Sequence, residues 1–181
     1  MAPTDLPVRA VARCARDTRS ARLPDAIAAP ADTGPSGARI GAAAALILVL
    51  ASCATGVQAA SPAQATGAAC AAVIRHWPQR VAHRDRVSVR DEPAGIAAWG
   101  DPAIIARCGV PPPAPTTNEC IGVDDIDWVL EPLSDGARFT TYGRSPAVEI
   151  LVPHSYAPEP LVLGAFTAAA RQLPTTDRRC R

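Results

Sequence analysis

The chain has 181 residues, with 18 basic and 17 acidic side chains for a net charge of +1 and no basic block, which excludes the electrostatic footprint of a nucleic-acid binder. Hydrophobic residues reach 48% but aromatics only 4%, so one domain-sized core must come from Val, Ile, Leu and a few large rings. Every basic residue is arginine, and Ala, Pro and Gly are abundant, a usage that points to a GC-rich bacterial genome.

Residues 1–38 are rich in Arg, Ala, Pro and Asp and show no periodic apolar face. They are expected either as a disordered extension or as the product of a start placed upstream of the true one, at Val8, Val11 or Leu23. The next segment, 39–53, has the order of an export signal. Arg39 is the positive flank, residues 40–51 are the apolar run, and Leu50-Ala51-Ser52-Cys53 resembles a lipobox. The small residues admit a peptidase to the backbone, and Cys53 supplies the thiol that is lipidated. Two alternatives stand beside this. An uncleaved anchor would need about 20 apolar residues, reached only by including Ser52, Thr55, Gly56 and Gln58. A buried core helix would use Cys53 merely as a small apolar residue. Both membrane readings put Arg39 inside and the body on the extracytoplasmic face of the cytoplasmic membrane.

Residues 54–67 are small and polar and read as a flexible tether, leaving residues 68–181 as the domain. Cys70, Val73, Ile74 and Trp77 fall at i, i+3, i+4 and i+7, one face of a helix that Pro78 ends. Four later runs alternate as strands. Ile104, Ala106 and Cys108 oppose Ile105 and Arg107, and Trp128 and Leu130 oppose Val129 and Glu131. "ARFTTYGR" and "PAVEILVP" are rich in β-branched and aromatic residues, with turn chemistry between them. A last helix opens near Pro160 and carries Val162, Phe166, Ala169, Ala170 and Leu173 on one stripe. The expected fold is α+β: a small antiparallel sheet of about four strands covered by an N-terminal and a C-terminal helix, and stapled by disulfides.

With Cys53 lipidated, four body cysteines remain, and in an exported chain they imply two disulfides in one of three connectivities. The favoured pairing is Cys108–Cys120, closing the loop "GVPPPAPTTNE", with Cys70–Cys180 tying the first helix to the C-terminus. No cysteine has a neighbour at metal-ligand spacing, and His76, His83 and His154 are scattered, so no metal site is expected. There is no G-x-S-x-G elbow and no phosphate-binding glycine loop, hence no assigned catalytic residue and no cofactor.

Three candidate sites stand out. Trp99 and Asp101, in "WGDP", would form an aromatic floor with a carboxylate for a sugar or peptide, although turn chemistry explains the same residues. Asp124, Asp125 and Asp127 form an acidic cluster that lacks the ligand alternation of a calcium loop and reads as a solvated turn. Tyr142 and Arg144, with Glu149, would make a polar patch in which Arg144 offers a planar fork to a carboxylate; a surface ion pair is the plainer alternative.

Three blocks, "AAWGDPAIIARCGVPPP", "ECIGVDDIDWVLEP" and "TTYGRSPAVEILVP", followed by a late cysteine, resemble the DUF3515 family of actinobacterial proteins. The resemblance spans residues 69–180. It implies an exported or membrane-attached protein and carries over no catalytic residue. Together these observations lead to a membrane-tethered, non-enzymatic binding module of the cell envelope, using the Pro-rich loop or the Trp99–Asp101 region. Its expected partners are the membrane, through a lipid or N-terminal anchor, and an envelope protein or cell-wall component. The rivals are an envelope hydrolase or transferase built on His154 or His83 with Asp101 or Asp125, and an accessory subunit of a membrane complex.

Overall fold

The computed structural model describes residues 56–180; the expected extension, signal segment and Cys53 lie outside them. Helix α1 (Ala68–Arg75) is followed by eight strands: β1 (Arg80–Val81), β2 (Arg84–Val87), β3 (Ile96–Trp99), β4 (Ile104–Val110), β5 (Cys120–Val123), β6 (Ile126–Pro132), β7 (Gly136–Tyr142) and β8 (Ala147–Pro153). They form one antiparallel sheet in the order β1-β2-β3-β4-β8-β7-β6-β5. The four expected strands are present as β4, β6, β7 and β8, but the sheet has twice that number, so the four-stranded expectation is corrected. The four missed strands escaped for two reasons. β1, β2, β3 and β5 span four residues or fewer, and every residue of β2 is exposed, so no alternation marks it.

One face of the sheet holds the main core. Ile104, Ala106, Cys108, Trp128, Phe139, Val148, Ile150 and Val152 point into it, as the period of two dictates. It is capped by Cys70, Val73 and Trp77 from α1 and by Val162, Leu163, Phe166, Ala169, Ala170 and Leu173 from the C-terminal helical region. That region departs from the single expected helix. Glu159–Phe166 is a 3₁₀ helix, and only Thr167–Ala170 (α2) is α-helical. Pro160 and Gly164 are poor interior residues for an α-helix. The buried stripe is nonetheless the predicted one. In α1, Ile74 is the exception to its stripe at 38% exposed.

The second face is different in character. Ala98, Ile105 and Leu151 make a small apolar cluster there, packed with Val57, Ala59, Val89 and Ile96. Residues 56–67, expected as a flexible tether, are instead bound to the domain. Val57 N–H donates to Ser88 O at 3.0 Å, and Val57 O accepts from Arg90 N–H at 2.8 Å. Ser61 Oγ donates to Ala94 O at 3.0 Å, and Ala65 is buried. The small side chains that suggested a tether let the backbone lie close. Gly109 shows this best. It sits at a bulge in β4 with φ of +103°, and its carbonyl accepts from Gln64 N–H at 3.2 Å. A Cβ there would overlap the Ala65 backbone. Gly109→Ala is therefore expected to cost about 3 kcal/mol, from strain and overlap together, measured by denaturant unfolding.

Two disulfides are present, but both differ from the expected pairs. Cys70 bonds Cys108, and Cys120 bonds Cys180, each with Cα atoms 5.6 Å apart. Sheet order explains the correction. Cys108 on β4 and Cys120 on β5 are separated by four strand spacings, about 19 Å, far beyond disulfide reach. They also point to opposite faces. Cys108 lies in the main core beside α1, whereas Cys120 is opposite Val129 on the second face. The Pro-rich loop 111–119 crosses the ends of the intervening strands rather than closing on itself. Among the described residues no helix is long and apolar enough to cross a membrane.

Candidate functional site

Trp99 and Asp101 do not form a site. Trp99 is fully buried, edge-to-face with Phe166 at 5.3 Å and Trp77 at 6.4 Å between centroids. Its indole N–H donates to Pro78 O at 3.0 Å, and the Arg86 guanidinium lies 5.7 Å from its ring centroid. Nothing of the ring remains for a ligand. Asp101 is exposed at a cis peptide to Pro102, whose carbonyl accepts the Tyr156 hydroxyl at 2.8 Å.

Tyr142 and Arg144 lie at the opposite end of the sheet. Trp99 pairs with Ile104 where β4 begins, whereas Ala147 pairs with Val110 where β4 ends, about 20 Å away. At that far end the second face carries a cleft of about 570 Å³. Its walls are the loop through Thr116 and Asn118 and the C-terminal segment through Asp177, Arg178 and Arg179. Val129, Tyr142 and the Cys120–Cys180 disulfide also line it. The C-terminal segment is held by backbone bonds from Ser145 N–H to Pro174 O at 3.1 Å and from Thr176 N–H to Gly143 O at 2.8 Å. The Arg178 guanidinium donates to Pro113 O at 2.8 Å and joins the two walls. A second hollow, sharing Asp177 and Arg178 with the first, is lined by Pro112, Ser145 and Thr176.

Arg144 stands beside the cleft, half-buried, donating to Leu173 O at 2.9 Å. Its pKa is lowered by burial first, then by the Arg179 and Arg171 guanidiniums, with Asp127 acting against them. The Arg179 and Arg171 guanidiniums are both near enough to act on Arg144, and Asp127 and the Asp125 partner of Arg171 offset part of that positive charge. The chemistry of a guanidinium suits an acceptor with paired oxygens, such as a carboxylate. The sequence reading found Tyr142 and Arg144 but missed Arg178 and Arg179. The signal was there: Arg178-Arg179-Cys180-Arg181 is the densest arginine run in the chain.

The other candidates are dispersed. Asp124 and Asp125 form a hairpin turn with φ of +48° and +66°. Asp124 accepts from Thr167 Oγ1 at 3.1 Å, Asp125 lies 3.6 Å from Arg171, and Asp127 accepts the Cys180 N–H at 3.0 Å. Asp124 and Asp125 thus hold α2 and its C-cap while Asp127 holds the C-terminal segment, and among the described residues no group of three or more His, Cys, Asp and Glu is placed to hold a metal. Glu149 does not meet Arg144. It is buried between Arg107, whose Nε donates at 2.7 Å, and Arg138 at 3.6 Å, and Arg138 in turn bonds Glu131 at 3.1 Å. This alternating ladder crosses β4, β8, β7 and β6. Glu149→Gln removes the charge both arginines face and is expected to cost about 2 kcal/mol in chemical unfolding, the partly exposed guanidiniums recovering some hydration.

His154 does not approach Asp101 or Asp125. Its Nδ1 lies 2.7 Å from Glu159 Oε1, with the imidazole 60% exposed. His83 is exposed in the β1–β2 turn. The His154 hydrogen bond is the main cause holding Glu159 below the ordinary carboxylate pKa. A lowered carboxylate pKa adds stability above the ordinary value of 4.5, and that stability is lost as pH falls through the lowered value. His154→Ala should therefore flatten the acid limb of the stability curve between pH 5 and the unfolding pH, followed by thermal melts across acid buffers.

No curated protein and no solved structure matches the chain. The family model described as "Protein of unknown function (DUF3515)" matches residues 40–177, which span α1, all eight strands and α2, together with the loop wall of the cleft, and end at Asp177 before Arg178, Arg179 and Cys180. The chain belongs to the DUF3515 family.

Proposed function

We propose that this protein is a non-enzymatic binding module, tethered on the extracytoplasmic face of the cytoplasmic membrane, that takes a carboxylate-bearing cell-wall component in the cleft between loop 111–119 and the C-terminal segment. One observation carries the reading: Arg178 and Arg179 line a polar cleft together with Tyr142, and Arg144 lies within the electrostatic reach of Arg179. A guanidinium fork recognises a carboxylate in two parallel hydrogen bonds, and a tyrosine ring beside it offers packing surface. The tether rests on Arg39, the apolar run 40–51 and the lipobox-like Leu50-Ala51-Ser52-Cys53. With residues 56–67 bound to the sheet, such an anchor would hold the domain close to the outer surface of the membrane.

The ligand part is tested by sedimentation of the purified domain with peptidoglycan sacculi of the source organism. The wild type should pellet with sacculi, and Arg144→Glu/Arg179→Glu should remain in the supernatant. Equal pelleting of the two proteins would remove the cleft as the site. The tether is tested by intact mass of the membrane-associated protein. Acylation adds a diacylglyceryl mass to a chain beginning at Cys53; an unmodified chain that retains residues 39–52 would support the anchor instead.

A further inference from the structure

The two disulfides differ in kind, and the difference has a chemical consequence. Cys70 and Cys108 are both fully buried in the main core. Cys120 and Cys180 are both partly exposed and line the cleft. Thiol–disulfide exchange requires a thiolate to reach a sulfur of the bond, so only the second bridge is open to attack in the folded protein. Charge adds to access. Cys180 is flanked in sequence by Arg179 and Arg181, with Arg178 one residue further, and Arg144 lies within the field of Arg179. Asp127, which accepts the Cys180 N–H, and the cleft residues Glu119 and Asp177 oppose them. Among the described residues the two signs are equal in number, so the effect rests on Arg179 and Arg178, the guanidiniums nearest Cys180 in the chain. A neighbouring guanidinium favours a thiolate, and a low-pKa thiol is the better leaving group.

We infer that Cys120–Cys180 is a thiol–disulfide exchange site for a dithiol partner, and that Cys70–Cys108 is a structural bridge. A thiolate of the partner attacks Cys120 Sγ. The Sγ–Sγ bond breaks, Cys180 leaves as the thiolate, and a mixed disulfide forms at Cys120. The second partner thiolate then attacks its own sulfur in that mixed disulfide and releases Cys120 as a thiolate. The partner leaves as a disulfide, and its two electrons and two protons now reside in the Cys120 and Cys180 thiols. The sheet need not open. Cys180 lies on the C-terminal segment outside the strands, which beyond Thr176 is held by the Arg178–Pro113 contact, by packing of Arg178 on Gly143 and by the Cys180–Asp127 hydrogen bond. Its release would remove one wall of the cleft. The exchange stands on access and charge alone; its control of the cleft rests on the binding reading.

The test uses the full chain with dithiothreitol or reduced thioredoxin as the dithiol, quenched by alkylation and mapped by peptide mass. Cys120 and Cys180 should be labelled about 100-fold faster than Cys70 and Cys108, because the buried pair must wait for unfolding. Arg178→Glu/Arg179→Glu should slow the reduction about tenfold, the equivalent of roughly one pKa unit at the leaving thiol. Circular dichroism of each variant establishes that it is folded. Equal labelling of the two bridges, or a charge-reversed variant reduced as fast as the wild type, would overturn the assignment. Sacculus sedimentation of the selectively reduced protein separates the two ideas. Selective labelling with unchanged sedimentation keeps the exchange site and overturns control of the cleft.

Discussion

Replacing Cys70 and Cys108 together by alanine is expected to lower the unfolding free energy by about 4 kcal/mol, the chain-entropy value for a loop of this size. The bridge spans 38 residues, and both sulfurs are fully buried between α1 and β4. Without it α1 is held to the sheet only by Val73, Trp77 and their neighbours, and the unfolded chain regains the freedom of the whole segment between. Cys120→Ala/Cys180→Ala should cost less than half as much, although its bridge spans 60 residues. The reason is local. Cys180 lies on a segment outside the sheet that exposed contacts hold in place, so that segment can detach in the native state and recover part of the lost entropy. Guanidinium denaturation of both double variants under oxidising conditions checks the order. A larger loss at the terminal bridge would show that the C-terminal segment is integral to the core.

Trp99→Ala is expected to be similarly severe, at about 4 kcal/mol. The ring is fully buried at the centre of an aromatic cluster with Trp77 and Phe166. Its loss removes two edge-to-face contacts, leaves a cavity too well walled to collapse, and strands the Pro78 carbonyl. Trp99→Phe should recover most of the packing but not the hydrogen bond, and cost about 2 kcal/mol. The contrast with ligand binding matters here. Trp99→Phe, if folded, should bind sacculi as the wild type does, because the ring is at the other end of the sheet from the cleft.

How much of this could be read from the residues alone depends on the range of the interaction. Alternation in "AIIARCGV" and "IDWVLEPL" placed Ile104, Ile105, Trp128 and Val129 on their correct faces, because facing is a property of a single strand. The C-terminal stripe was legible for the same reason, even though its backbone is largely 3₁₀. Pairing is not local. β4 lies between β3 and β8, and no feature of "AIIARCGV" announces a partner 40 residues later. The disulfide connectivity followed that error, since proximity in sequence put Cys108 beside Cys120 while the sheet keeps them far apart. Residues 56–67 misled for a further reason. Small polar residues suit a solvated linker and a close-packed backbone equally well, and only Gly109 and Ala98 on the other side decide between them.

The site was half legible. Of the pair Tyr142 and Arg144, Tyr142 lines the cleft, whereas Arg144 donates to Leu173 O and is not among its lining residues. Trp99 was singled out for a ring that the core consumes. Composition cannot tell a buried tryptophan from a binding platform, because both need the same large apolar surface.

The most direct measurement is a backbone amide chemical-shift titration of the domain with soluble muropeptides that carry a free carboxylate. The account predicts shifts confined to the far end of the sheet, at Asn118, Tyr142, Arg144 and Arg179, and their loss in Arg144→Glu/Arg179→Glu. Shifts clustered instead around Asp101, Tyr156 and His154, with the Arg144–Arg179 end unmoved, would contradict it.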